Sequence, residues 1–450
     1  MKLLIISPSW LPEFWNGGKV LSPPMCLPVL AALTPPGAEL HLVDENIEAV
    51  NLQEDADLVA ISAMTASAPR AYEIADAFRA RGVPVVMGGM HPSALPEEAA
   101  RHADAVVIGE AENQWAGVLE DFAAGRPQQF YRAAERPQLD NLPLPRRDLM
   151  HQDRYLAANL VQTARGCPHA CSFCSVSPVF GRTYRFRPIP EVVEEIRSLG
   201  SRSIGFPDDN IVGNPRRARE LFEALIPLKI KWVGQGDMSM SKDPELLKLM
   251  VRSGCMAMFV GIESLSQESL AMTHKHPNVG LDLERAIQKV HRAGIDLVGS
   301  FVFGLDGDTT SIFRETVTFT ERVKMAVAQF AVLTPFPGTP VYEELKAEGR
   351  ITNYDWSQYT MGYVVYEPKG MTAAELTAGR KYAYGRFFGL PSIAKRGLVL
   401  RGNRVNYGLR AAVNLSYRNR LRGGTIADSL PCDGVVKAPV RPTAVARHEA

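Results

Sequence analysis

Short apolar runs separated by amphipathic stretches recur through the first 345 residues, and this alternation constrains the fold more than any single residue does. Residues 2–7, 39–43, 58–62, 83–87 and 105–108 are nearly continuous in aliphatic side chains, and helical periodicity lies between them at 67–81 and 96–102. A strand apolar on both sides must be covered on both sides, and helical crossovers keep neighbouring strands parallel. Residues 1–125 are therefore read as a doubly wound, Rossmann-like α/β domain. Such a sheet binds ligands at the carboxyl ends of its strands. Those ends carry Ser7-Pro8-Ser9-Trp10, Ser62-Ala63-Met64-Thr65, Gly88-Gly89-Met90-His91-Pro92 and Gly109-Glu110. Small residues there let a ligand approach the backbone.

Prolines 127, 137, 143 and 145 mark residues 126–158 as a linker. A second alternation follows. Strands are expected at 159–163, 203–206, 231–234, 257–262, 296–303 and 329–334, with helices at 191–199, 215–225, 244–252, 281–293 and 313–325. Six repeats, short of the usual eight, predict a partial (β/α)6 barrel over residues 159–345, with function on the loops after its strands. Residues 346–422 read as a small helical C-terminal region, with helices at 372–388 and 395–420. Residues 423–450, rich in Pro, Ala, Gly and Arg, read as a disordered tail.

Composition excludes several classes. No apolar run approaches the roughly 20 residues of a membrane span. The first residues are too short a run for a signal peptide, which favours a cytoplasmic protein. A net charge of +1 gives no global field for nucleic acid. The basic stretch 391–422 has few aromatics and no accompanying RNA-binding module, so it is read as a candidate peripheral membrane contact or as a basic face packed on the barrel.

Six cysteines in 450 residues are too few for a disulfide scaffold. Cys167, Cys171 and Cys174 are clustered directly after the first expected barrel strand, in Arg165-Gly166-Cys167-Pro168-His169-Ala170-Cys171-Ser172-Phe173-Cys174. A structural zinc site takes four ligands, and no matching pair lies nearby. Three thiolates hold three irons of a four-iron cluster and leave the fourth iron open. Gly166 and Pro168 would shape such a loop and Phe173 would shield it. Three buried thiols without a cofactor remain the bland reading.

The triad at this position resembles the signature of the radical S-adenosylmethionine (SAM) superfamily. The resemblance implies a 4Fe-4S cluster on Cys167, Cys171 and Cys174 whose open iron chelates SAM. It extends to later strand ends: Asp208 and Asp209 where the family holds the amino group of SAM, Gln235 and Asp237 after the third strand, Glu263 facing ribose or substrate, and Ser300 on the strand beside the adenine. On residues alone, Asp208-Asp209-Asn210 would equally cap the helix starting at Pro215. Arg185 and Arg187 are read as partners of a carboxylate or of the anionic cluster, or as a surface turn.

A doubly wound domain before such a barrel resembles the cobalamin-dependent radical SAM class. Ser62-Ala63-Met64 and Gly88-Gly89 match two elements of its cobalamin fingerprint, and Gly109-Glu110-Ala111-Glu112 resembles its closing Gly-Glu-x-Glu. The histidine-bearing element is absent, so cobalamin would bind without a protein histidine, with Trp10 or Leu11 against its lower face. His91 and His102 are weaker ligand candidates, and a degenerate, ligand-free domain is the alternative. Residues 371–396 loosely resemble the C-terminal extension of hopanoid and bacteriochlorophyll methylases.

That resemblance implies methyl transfer to an unactivated carbon of a hydrophobic lipid or tetrapyrrole, through a 5′-deoxyadenosyl radical and methylcobalamin. Electrons would come from a flavodoxin or ferredoxin. An anaerobic tetrapyrrole cyclase or hydroxylase has the same layout. Nothing in the residues themselves selects the substrate.

Overall fold

The computed structural model describes residues 1–10, 22–397 and 404–422. Leu11 and the tail 423–450 lie outside the described residues. The first sheet has six strands: β1 (Lys2–Ser7), β2 (Glu39–Asp44), β3 (Leu58–Ser62), β4 (Val85–Gly88), β5 (Ala105–Ile108) and β6 (Phe130–Arg132). Their order is β2-β1-β3-β4-β5-β6 and every pair is parallel. The order reverses between β1 and β3, which opens a crevice beyond Ser7 and Ser62. Leu4, Ile6, Val59 and Ile61 face one apolar core, and Leu3, Ile5, Leu58 and Ala60 face the other. β6 lies inside the stretch read as linker. It is too short and polar to stand out by period, but pairs along β5.

A two-residue antiparallel ribbon follows, β7 (Ala164–Arg165) with β8 (Arg185–Phe186). The second sheet comprises β9 (Ser203–Phe206), β10 (Lys231–Gly236), β11 (Cys255–Glu263), β12 (Asp296–Phe303) and β13 (Val327–Val332), parallel and in sequence order. The strand expected at 159–163 is only a stub beside β9. Leu160 bridges Gly205, Val161 N–H donates to the Gly205 carbonyl, and Gly205 N–H donates to the Asn159 carbonyl. Beyond it the chain turns at Thr163, whose N–H and hydroxyl are both taken by Asp208. The curved sheet thus forms an open partial barrel.

One face of this sheet packs on helices in a single large core that includes Trp232, Phe222, Phe303 and Phe330. Helices Ala373–Phe387, Leu390–Gly397 and Arg404–Arg422 continue that core. Arg396 is buried over the Phe387 ring, 3.6 Å to the centroid, and donates to the Met325 and Phe387 carbonyls and to Asn414. Lys395 pairs with Glu321 and Arg410 with Asp296. These basic residues therefore fasten the C-terminal helices to the barrel, which favours the packed-face reading of that stretch. Among the described residues no helix is long and apolar enough to cross a membrane.

Candidate active site between the two sheets

A cavity of about 1430 Å³ lies where the two sheets meet. Ser7, Trp10, Ser62 and Met64 line it from the first sheet, Phe173 and Cys174 from the cysteine loop, and Val413 and Tyr417 from the last helix. Met64 presents an apolar side chain, 64% exposed, to this cavity. Gly88 and Gly89 do not line the cavity. Gly89 has φ +100°, and a Cβ on it would stand 2.6 Å from the Ala63 carbonyl. Its role is to bring the loops after β3 and β4 together. The Ser93 hydroxyl continues this stitching, donating to the Gly89 carbonyl at 2.6 Å and accepting from Gly109 N–H at 2.9 Å.

No histidine is among the described residues on this wall. His91 is fully buried, with Nε2 on Tyr72 and Glu98, and His102 pairs with Asp76. Neither is placed to face the cavity.

The cysteine loop is closed at its neck by the β7–β8 ribbon and by Cys167 N–H donating to the Gly181 carbonyl. Gly166, at φ +87°, is required there, because a Cβ would meet the Thr183 carbonyl at 2.4 Å. Ser172 fastens the far side: its N–H donates to Thr273 and its carbonyl accepts from Val341 N–H. The three thiols are free. Burial pushes all three upward, Cys174 to about 11, while the Lys275 ammonium works in the opposite direction on each. Among the described residues no three Cys, His, Asp or Glu side chains are drawn together as a ready metal site.

The strand ends of the second sheet surround this loop. Asp208 is buried on Thr163, and burial lifts its carboxyl to about 6. It fastens the strand end, and like Asp209, Gln235, Glu263 and Ser300 it lies beside the cysteine loop without lining the cavity. Asp209 is half-buried, also raised to about 6 by burial, and accepts from Gly166 N–H. Neither caps the following helix. Asn214 does that, its side chain accepting from Arg217 N–H. Asp237 is buried, yet hydrogen bonds from His169, Ser239 and Asn210 outweigh burial and hold it well below the usual carboxylate range. Asn210 spends its amide on Asp237 at 2.7 Å, and its Oδ1 is buried without a partner.

Glu263 stands at φ +68°, in the left-handed region, where the ladder to β12 shifts register. It pairs with Lys275 at 2.9 Å, and that carboxylate keeps the buried Lys275 charged. The inner face of the sheet is open. Val233 is 46% exposed, Gln235 is exposed, and Ser300 lies half-exposed between Gly261 and Gln329.

Sequence reasoning missed Lys275, Gln329 and His169. Lys275 sits in an irregular segment without a period to flag it. Gln329 is placed by its register with Ser300 across the sheet, which no pattern in the residues shows. Arg185 and Arg187 are neither solvated nor cluster-facing. They pair with Glu110 and Glu195.

Comparison with known proteins fits this arrangement. Residues 32–119 match the model of the B12 binding domain and residues 161–320 that of the radical SAM superfamily. The chain is 31% identical to bacteriochlorophyllide d C-12(1)-methyltransferase of Chlorobaculum tepidum over 387 residues, covering 83% of this chain and 84% of that protein. The chain belongs to the cobalamin-dependent radical SAM methyltransferase family. It is also 27% identical to hopanoid C-2 methylase of Rhodopseudomonas palustris, over 74% of this chain and 66% of that one. The fold matches the radical SAM methyltransferase TsrM of Kitasatospora setae with a TM-score of 0.66 at 17% identity, over 93% of this chain and 99% of that one.

The enzyme therefore works with a 4Fe-4S cluster, SAM and cobalamin. The donor chemistry suits them. Three reduced thiols share one tied loop beside a buried ammonium, and the orphaned Asn210 acceptor awaits a donor. On the other sheet, serines and a close-approach glycine line or shape a crevice at the switch point.

Proposed function

We propose that the enzyme methylates an unactivated carbon of a hydrophobic tetrapyrrole or polycyclic lipid held between its two sheets. The observation that carries this reading is the cavity lined together by the first sheet, the cysteine loop and the C-terminal helix. When bound, the cluster with SAM supplies a hydrogen-abstracting radical, and the corrinoid supplies the methyl group.

Cys167, Cys171 and Cys174 hold the cluster. Asn210, Asp209 and Asp237 surround the cationic end of SAM with acceptors, while Gln235, Glu263 and Ser300 line its groove. Asp208 acts at one remove, by fixing the strand end that leads into the cysteine loop. Trp10, Ser62 and Met64 face the corrinoid, and Gly88 and Gly89 shape the loops that leave room for it. Phe173 and Tyr417 exclude water from the reacting carbon, a requirement of any radical step.

In this reading residues 1–125 form the corrinoid unit, 159–345 the radical unit and 346–422 part of the substrate wall. The low-potential electron comes from a flavodoxin or ferredoxin. The substrate names of the two relatives support a polycyclic acceptor, one a tetrapyrrole and one a hopanoid. Anaerobic assay with methyl-labelled SAM, offered chlorophyllide and hopene side by side, tests the reading. Label in either acceptor supports it, and SAM cleavage with label in neither contradicts the substrate class. The same reading puts the chain in the cytoplasm, touching membranes through the C-terminal helices, where Leu390 and Leu415 are exposed. Unchanged co-sedimentation with anionic liposomes after Leu390→Glu and Leu415→Glu would remove that contact.

A further inference from the structure

The two half-sites sit on separate sheets, so something must set the distance between them. Four charged side chains meet at that junction. Arg165 ends β7 and Arg185 begins β8, and the two are direct register partners across the ribbon. They stand at the two sides of the neck from which the cysteine loop emerges. Both guanidiniums leave their own unit and reach the loop after β5. Arg165 meets Glu110 and Glu112, each at 2.6 Å, and Arg185 meets Glu110 at 2.6 Å. Arg185 forks onto both Glu110 carboxylate oxygens, at 2.6 Å on Oε1 and 3.1 Å on Oε2, and Arg165 shares Oε2 at 2.6 Å. Arg185 also donates to the Pro137 and Phe180 carbonyls.

All four side chains are nearly buried. Burial works against the charge of Arg165, yet the two glutamates hold its guanidinium more firmly protonated than usual. Removing one partner from a buried pair leaves an uncompensated charge, so such a junction resists sliding. A fork of two donors on one carboxylate also fixes direction, which a point charge does not. The loop itself cannot absorb a misalignment, because its neck is closed at Gly166 and its far side is fastened at Ser172.

We infer that Glu110 and Glu112 are positioning residues. Through Arg165 and Arg185 they lock the orientation of the cysteine loop to the corrinoid-binding sheet, and so set the separation of the two redox centres. Glu110 lines the shared cavity, but both of its carboxylate oxygens are taken by the arginines. This inference rests on the cofactor placement proposed above.

Two readouts test it on the full chain. In the first, the protein loaded with reduced cluster and cob(II)alamin is studied by pulsed electron paramagnetic resonance, which reads the distance between the two spins. The native chain should give one narrow distance. Glu112→Gln and Arg185→Lys, each keeping both centres, should broaden or shift it, and the double variant more than either. A narrow and unchanged distance in the loaded variants would overturn the inference. A native chain whose two spins are both present but show no mutual coupling would overturn the cofactor placement instead.

The second readout needs no cofactor. Hydrogen exchange of segments 108–112 and 164–186 should rise together in Glu110→Gln, while β1 and β12 keep their native protection. Unchanged exchange in those two segments would also overturn the inference, as would a uniform rise through the whole chain.

Discussion

The two parallel sheets spend their surfaces differently. In the first, β3, β4 and β5 are buried on both faces, so the strand ends are what it leaves open. In the second, β10 and β13 alternate buried and open positions, because the inner face of the partial barrel is left uncovered. The loops differ as well. The first sheet joins its loops through Gly89 and the Ser93 hydroxyl. The second uses buried carboxylates: Asp208 on Thr163, and Asp308 on Gly304, Leu305 and Ser269. The lesson is that one fold class can offer a ligand an edge or a face, depending on whether helices cover both sides.

Adjacent residues of β10 give the largest test of this contrast. Trp232 is buried, stacked on Phe222 at 5.0 Å and bonded to Ser253. Trp232→Ala should cost about 3–5 kcal/mol in denaturant unfolding. Val233 faces the open side, and Val233→Ala should cost under about 0.5 kcal/mol. Equal losses would mean the inner face is packed.

A matched pair of enlargements comes next. Ala60→Phe on β3 should destabilise by about 1–3 kcal/mol, since both faces are filled. Ser300→Phe on β12 should leave stability nearly unchanged and weaken SAM binding by tenfold or more on the order of 1.4 kcal/mol, read by equilibrium dialysis on the reconstituted enzyme. Retained binding would remove Ser300 from the groove.

A comparable effect is a pH dependence. Burial raises Asp308 from the ordinary 3.8 to about 6. A folded-state value above the unfolded one means its stabilisation is complete below the ordinary value and lost as pH rises through about 6. Between pH 4 and 6, native stability should fall relative to Asp308→Asn by on the order of 1–3 kcal/mol. Parallel stability curves for the two proteins would contradict this.

Much of this was legible in the residues. Continuous aliphatic runs point to the first sheet, and the three clustered cysteines after a strand mark the loop, whose cluster reading comes from the family resemblance. Three things were hidden, each for a physical reason. β6 and the 159–163 stub are set by pairing with neighbours, not by their own pattern. The loop stitching by Asp208 and Gly89 was not visible, because polar and small residues at strand ends serve stitching and ligand binding equally well. Glu110, Arg165 and Arg185 converge from distant segments, and no local pattern announces such a meeting. The open face of β10 was visible in principle, since Lys231, Val233 and Gln235 alternate with Trp232 and Gly234.

The central claim is that each sheet holds its own cofactor, the cluster on Cys167, Cys171 and Cys174 and the corrinoid at the ends of β1 and β3. Iron, sulfide and corrinoid measured on one anaerobically reconstituted sample, beside the triple variant Cys167→Ala, Cys171→Ala, Cys174→Ala, tests it most directly. The account predicts one 4Fe-4S cluster and one corrinoid per native chain, with the variant losing the iron and sulfide but keeping the corrinoid. A variant that keeps its cluster, or a native chain that binds iron and no corrinoid, would contradict it.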